Sequence, residues 1–245
     1  MTPPVALTIA GSDSGGGAGI AADLTTFAAL GVHGTCVIAA VTAQDTTAVH
    51  QIQPLPEAVI AAQLDAVLGD FPVAAVKTGL LGSVAAVELV AQRVGALPLV
   101  VDPVLGATSG ASFATDAVID AYRRELLPRA SVVTPNADEA AALGELNVPV
   151  IRTGSASAVD LLQRPGREPV ELAHDVVQTG NDHGSGCTYS AALTAFLAHG
   201  HNLETSAAEA AEFTATQLRN SSGWRLGAGR GPVSHISPST PGVTT

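Results

Sequence analysis

The chain is predicted to fold as one α/β domain, a mostly parallel central sheet with helices on both faces. Three observations predict it. Short apolar or β-branched runs alternate with helix-compatible stretches in βαβ fashion. At 245 residues, with 47% hydrophobic and 13% charged content, the chain can bury one large core. Small and polar residues cluster after the strand-like runs, where an open parallel sheet binds its ligand.

The elements follow in order. Strands are expected at 6–10, 35–41, 74–77, 99–101, 132–134 and 148–151, with helices at 20–30, 57–68, 83–94, 116–126 and 137–143 between them. The first helix carries an apolar face of Ile20, Leu24, Phe27 and Ala28. Two more helices, 188–198 and 203–218, close the chain, the former apolar along Ala191, Ala192, Ala195, Phe196 and Leu197. Residues 1–233 are read as the single domain and 234–245, rich in Pro, Ser and Thr, as a frayed tail.

Charge and leader signals exclude several classes. The net charge is −11 and Lys77 is the only lysine, so there is no basic surface for nucleic acid. No run reaches 18 apolar residues, and residues 5–10 follow the start without a basic n-region, so no membrane partner and a cytoplasmic location are expected. Cys36 and Cys187 have neither disulfide nor zinc spacing, and Cys36 reads as core.

Chemistry is expected at the strand ends. Gly184-Ser185-Gly186-Cys187-Thr188 precedes a helix, whose first N–H groups can hold a phosphoryl group. The helix dipole there is expected to favour a Cys187 thiolate, with an ordinary turn and a small buried cysteine as the alternative reading. Asp23 falls on the apolar face of the first helix and needs a partner. A cap or a buried ion pair would serve, but with so few cations a ligand's amino group is the favoured reading. Gln44, after the second strand, offers a donor and an acceptor to a heterocycle edge. Asp102, Asn136 and Glu139 are hard oxygen groups of the kind magnesium takes, and Asn136 with Glu139 also reads as a helix start. The glycine run 15–19 matches neither a P-loop nor G-x-G-x-x-G, and reads as a stretch needing positive φ or close backbone approach.

Residues 7–13 with 15–20 and 22–24, then 41–46, 77–81, 101–104, 134–136 with Glu139, 183–188 and 229–233 occur in an order that resembles the hydroxymethylpyrimidine/phosphomethylpyrimidine kinases of thiamine biosynthesis, in the ribokinase-like superfamily. The resemblance implies a ribokinase-like fold and ATP-dependent phosphorylation of a pyrimidine alcohol and of its monophosphate, with ATP and Mg²⁺ as cofactors and a homodimer as the assembly. It further implies a substrate pocket of Asp23, Gln44, Gly11 and Leu80, and an anion hole of Gly184, Ser185 and Gly186 with Cys187 as proton acceptor. Asp102, Asn136, Glu139, Thr153, Gly154 and Thr188 fall on the phosphate and nucleotide side, with Asp102 and Glu139 holding the metal directly or through water.

Three departures from that family stand out. Thr108 replaces a lysine, Leu80 replaces a methionine, and one helix is missing after Leu143, so the strand at 148–151 is expected to be displaced or unpaired. A pyridoxal kinase, a kinase of the monophosphate alone and a non-catalytic pyrimidine sensor are the competing readings.

Overall fold

The computed structural model describes residues 2–106, 113–153 and 159–236. Among them nine strands form one sheet: β1 (Val5–Gly11), β2 (His33–Gln44), β3 (Val49–Pro54), β4 (Val73–Thr78), β5 (Leu99–Val101), β6 (Val132–Val133), β7 (Val150–Arg152), β8 (Val159–Gln163) and β9 (Val170–Ala173). Their spatial order is β3-β2-β1-β4-β5-β6-β7-β8-β9. The six strands from β2 to β7 run parallel, while β3 and the β8–β9 hairpin are antiparallel edges that the apolar pattern alone did not announce.

Helices cover both faces, as expected. α1 (Gly19–Ala29), α6 (Ser185–Ala198) and α7 (Leu203–Ser221) pack on one side, where Phe27, Ala191, Ala195, Tyr189, Leu193 and Ala210 are buried. α2 (Glu57–Asp70), α3 (Val84–Arg93), α4 (Asp116–Ala121) and α5 (Ala137–Leu143) bury Ile60, Leu64, Val87, Val118 and Leu143 against the other. α4 runs on through a π-helical turn, Tyr122–Leu126, and a 3₁₀ turn, Leu127–Arg129. β1 is buried along all seven residues, because helices lie over both of its faces.

The chain leaves β1 for β2 on one side and returns, through β3 and α2, to β4 on the other. That reversal opens a crevice at the carboxyl ends of β1 and β4, the switch point where such sheets bind ligands. The β1–β2 register also slips between Ala10 and Gly11, at the mouth of this crevice.

Two expectations are corrected here. The strand at 148–151 is neither displaced nor unpaired: β7 pairs parallel with β6 through Val133 and Val150, and the seven residues of α5 suffice for the crossover. The expected tail is also packed at its start, with Ser234 fully buried and His235 Nε2 2.9 Å from Thr188 Oγ1. Thr108 and Gly154 lie outside the described residues, as does the chain beyond 236.

Candidate active site

A cleft of about 520 Å³ opens over the switch point. Gly11, Gln44, Leu80, Asp102, Asn136, Glu139, Thr153 and Gly184 through Cys187 all line it, so most of the sequence-derived residues meet in one place. Asp23 and Thr188 are not in its wall.

The anion-binding end is built from a close backbone contact. Gly184 sits in the left-handed region, φ 84°, and a Cβ there would lie 1.8 Å from the Gly17 carbonyl oxygen, so only glycine lets the two loops meet. α6 begins at the next residue, three residues earlier than the sequence suggested. Ser185 N–H is satisfied by the Asp182 carbonyl at 3.1 Å. The following amides, of Gly186 and Cys187, belong to a helix turn that has no intrahelical acceptors for them, and both residues face the cleft. Thr188 is excluded because its hydroxyl is spent on the Gly184 carbonyl (2.9 Å) and on His235.

The Cys187 thiolate expected from the helix dipole is also corrected. Burial pushes the thiol up, to about 12; Lys77 pulls it down, but the carboxylates of Asp102 and Asp23 add to the rise. A helix terminus contributes about 0.3–1 kcal/mol at an exposed site. Desolvation and two nearby anions outweigh that.

Asp23 takes the bland alternative. Thr8 and Lys77 are register partners on β1 and β4, and both point at the α1 carboxylate. The Lys77 ammonium donates to Asp23 Oδ1 and the Thr8 hydroxyl to Oδ2, each at 2.6 Å, and neither Asp23 nor Lys77 is exposed to solvent. Asp23 is therefore a buried ion-pair partner rather than a substrate ligand. Scarcity of cations misled the inference, since the one lysine lies on the adjacent strand. Lys77 Nζ also approaches Asp102 Oδ2 at 3.8 Å. Burial opposes its charge, but the surrounding anions dominate and hold it protonated.

The end of the cleft that holds Gln44 rests on Asp13, which sequence reasoning passed over as part of a glycine-rich turn. Its carboxylate accepts from the N–H groups of Gly15 (2.8 Å), Gly17 (3.1 Å) and Ala18 (2.9 Å) and from His183 Nε2 (3.0 Å). Burial would raise its pKa, but the His183 bond and the backbone donors together hold it below the usual carboxylate range. The same His183 nitrogen lies 3.1 Å from the Gln44 amide. Ser14 Oγ donates to the Gln44 carbonyl (2.6 Å) and accepts its N–H (2.7 Å), so the end of β2 is pinned before any ligand arrives. The glycine run needs its freedom as expected: Gly19 has φ 57°, and a Cβ there would lie 2.3 Å from the Gly11 carbonyl oxygen.

Across the cleft, Asn136 and Glu139 form the capping box of α5, each side chain accepting from the other's backbone N–H (2.9 and 3.0 Å). Glu139 nonetheless lines the cleft, and burial, reinforced by the Asp102 carboxylate, raises its pKa to about 7. Asp102 is likewise raised by burial, against the pull of Lys77 and a 2.8 Å bond from Ser190 Oγ. Two mutually repelling buried carboxylates suit a small hard cation that keeps waters and shares phosphate oxygens.

Such a cleft can hold a transferring phosphoryl group between backbone donors and carboxylate-bound charge, and the fold around it is ribokinase-like; together they define a small-molecule kinase. Comparison with known proteins narrows the class. The family model described as phosphomethylpyrimidine kinase matches residues 13–153 and 147–234, and the chain belongs to that family. A hydroxymethylpyrimidine/phosphomethylpyrimidine kinase of Synechococcus elongatus is 40% identical, with 97% of this chain and 99% of the relative covered. The Haemophilus influenzae protein of the same description is 40% identical over 94% and 95%. Among solved structures, an ADP complex of Bacillus subtilis pyridoxal kinase superposes with a TM-score of 0.86 at 34% identity, covering 96% of this chain and 98% of the other. Phosphomethylpyrimidine kinase from Clostridium difficile gives 0.73 at 31% identity, covering 85% and 96%. No helix among the described residues is long and apolar enough to cross a membrane.

Proposed function

We propose that this enzyme transfers the γ-phosphoryl group of ATP to the hydroxymethyl oxygen of 4-amino-5-hydroxymethyl-2-methylpyrimidine, and then a second to the resulting monophosphate, as thiamine biosynthesis requires. One observation carries the reading: Gln44, whose backbone is pinned by Ser14 and whose side-chain amide suits an aminopyrimidine edge, lines the same cleft as the α6 anion hole. The relatives named for this activity cover nearly the whole chain.

In the first reaction the alcohol oxygen attacks the γ-phosphorus, the bond to the bridging oxygen breaks, and ADP leaves. The amides of Gly186 and Cys187 receive the charge that spreads over the transferring oxygens, and the chain's part is positioning and electrostatics. Asp102 and Glu139 would hold magnesium, directly or through water, and the ion would supply charge neutralisation for the phosphates and for Asp102 itself. Cys187 Sγ takes the hydroxyl proton only as thiolate, a form that Lys77 favours and an uncompensated Asp102 opposes. Asn136 keeps the Glu139 carboxylate aimed by the capping box, and Thr153 completes the nucleotide side.

In the second reaction the nucleophile is a phosphate oxygen with no proton to lose. Cys187→Ala therefore depresses the first step far more than the second, and equal losses remove the proton-acceptor role. The functional reading itself is tested by ADP formation with the pyrimidine alcohol, its monophosphate and pyridoxal offered separately, with magnesium and with chelator. Turnover of both pyrimidines, lost on chelation, is the expected result. Preference for pyridoxal, the substrate named in the complex of the Staphylococcus aureus kinase (TM-score 0.84), would overturn the acceptor.

A further inference from the structure

The cleft has an unusual charge inventory for an enzyme whose second acceptor is itself an anion. Among its described lining residues are the carboxylates of Asp13, Asp102, Glu139, Asp160, Asp175 and Asp182, and one guanidinium, that of Arg230. Lys77 is sealed beneath the wall with no exposure. A dianionic phosphate ester entering this field meets repulsion from most directions, whereas the neutral alcohol does not.

Arg230 is placed to offset that repulsion. Its Nε donates to Asp182 Oδ1 at 2.7 Å and its terminal nitrogen to Oδ2, a fork-to-carboxylate pair. The side chain is 54% exposed, so the pair can exchange. Its backbone, in contrast, is fixed. Gly231 N–H donates to the Gly180 carbonyl (3.1 Å), and Gly231 and Val233 bracket His183 through bonds of 3.0 and 3.1 Å. His183 is the residue that meets Gln44 and Asp13, and Gly184 follows it. The guanidinium thus hangs from a rigid segment between the substrate end and the anion hole.

We infer that Arg230 is the specificity residue for the second phosphorylation: its fork leaves Asp182 for the phosphate of the pyrimidine monophosphate and orients that phosphate toward ATP. The two acceptors match in geometry, since carboxylate and phosphate both take a guanidinium bidentately. An oxygen of the bound dianion then attacks the γ-phosphorus, the γ-phosphorus bond to the bridging oxygen breaks, and ADP departs with no proton moved. With the alcohol as acceptor Arg230 stays on Asp182.

This inference rests on the two-step reading, so its test measures both steps separately. Arg230→Ala is expected to raise KM for the monophosphate tenfold or more while leaving KM and kcat for the alcohol within about twofold. Arg230→Lys, which keeps charge without the fork, falls between, and added salt weakens monophosphate use in the unsubstituted enzyme more than in Arg230→Ala. Asp182→Asn loosens the competing pair and leaves the monophosphate KM unchanged or lower. Equal losses in both steps for Arg230→Ala, or an Asp182→Asn enzyme that reproduces the loss, would make the pair a strut for the 227–233 segment and overturn the inference. Absence of turnover with either pyrimidine in the unsubstituted enzyme would instead overturn the functional reading, and the inference with it.

Discussion

The two ends of the cleft differ in how their buried polar groups are satisfied. At the substrate end, Asp13 bonds His183 and the loop backbone, Ser14 bonds the Gln44 backbone, and Asp23, Lys77 and Thr8 close a second network below. At the nucleotide end, Thr134 Oγ1 is buried without a hydrogen-bond partner, Asp160 Oδ1 and His174 Nε2 face each other at 3.5 Å, and Asp102 raises the pKa of Glu139 as a repelling neighbour. Buried polar groups are ordinarily paired. On the proposed function, the acceptor end is held by the chain's own bonds, whereas Asp102 and Glu139 depend on a cation for charge balance.

The largest effect that would break this picture is at the hinge between the ends. Gly184→Ala, which drives a Cβ into the Gly17 carbonyl from a left-handed backbone, is expected to abolish turnover with every acceptor; an active variant would mean that the loop contact is dispensable. Lys77→Met leaves Asp23 buried and uncompensated, at a cost of about 3–5 kcal/mol in urea unfolding. A loss under about 1 kcal/mol would show that the lower network does not hold the substrate end.

Glu139→Gln sharpens the comparison from the other side. Gln can still accept the Asn136 N–H, so the cap survives while the charge is removed. In the metal-free protein Glu139 has a raised pKa, so its contribution to stability is full below the unfolded value near 4.5 and is lost as pH rises through about 7. The variant is therefore expected to equal the parent below pH 4.5 and to exceed it at pH 8, by about 3 kcal/mol, while losing turnover. A melting series across that range checks it; parallel pH curves would refute the repelling pair. The smallest effect is at Gly16, also at positive φ (75°) but with nothing within 4 Å of an added Cβ. Gly16→Ala should cost only about 1–2 kcal/mol in stability and leave the acceptor KM unchanged.

Most of the sheet was legible because its central strands are apolar runs separated by helical patterns, and the strand ends marked the cleft. The edges were not, since β3 (Val49–Pro54) and the β8–β9 hairpin carry exposed or mixed residues whose pairing depends on neighbours rather than on period. In the site, Gln44, Asp102, Glu139 and the Gly184–Cys187 turn were readable from position after a strand or before a helix. Asp23 was misread because a burial argument identifies the need for a partner but not which one. Cys187 was misread because a helix dipole is visible in sequence, whereas desolvation and the charges of Asp23 and Asp102 arise only from folding. Asp13, His183 and Arg230 gave weaker signals, yet all three fell within the segments that carried the family resemblance.

The contrast between the two ends is tested most directly by calorimetry of two ligands, the pyrimidine alcohol and a non-hydrolysable ATP analogue, each with and without magnesium at pH 6 and pH 8. The pyrimidine is expected to bind with the same affinity in all four conditions. The analogue is expected to require magnesium, more so at pH 8 where Glu139 is charged, and at pH 6 its binding with magnesium is expected to release protons as Glu139 ionises. Equal dependence of both ligands on magnesium, or nucleotide binding indifferent to it, would contradict the account.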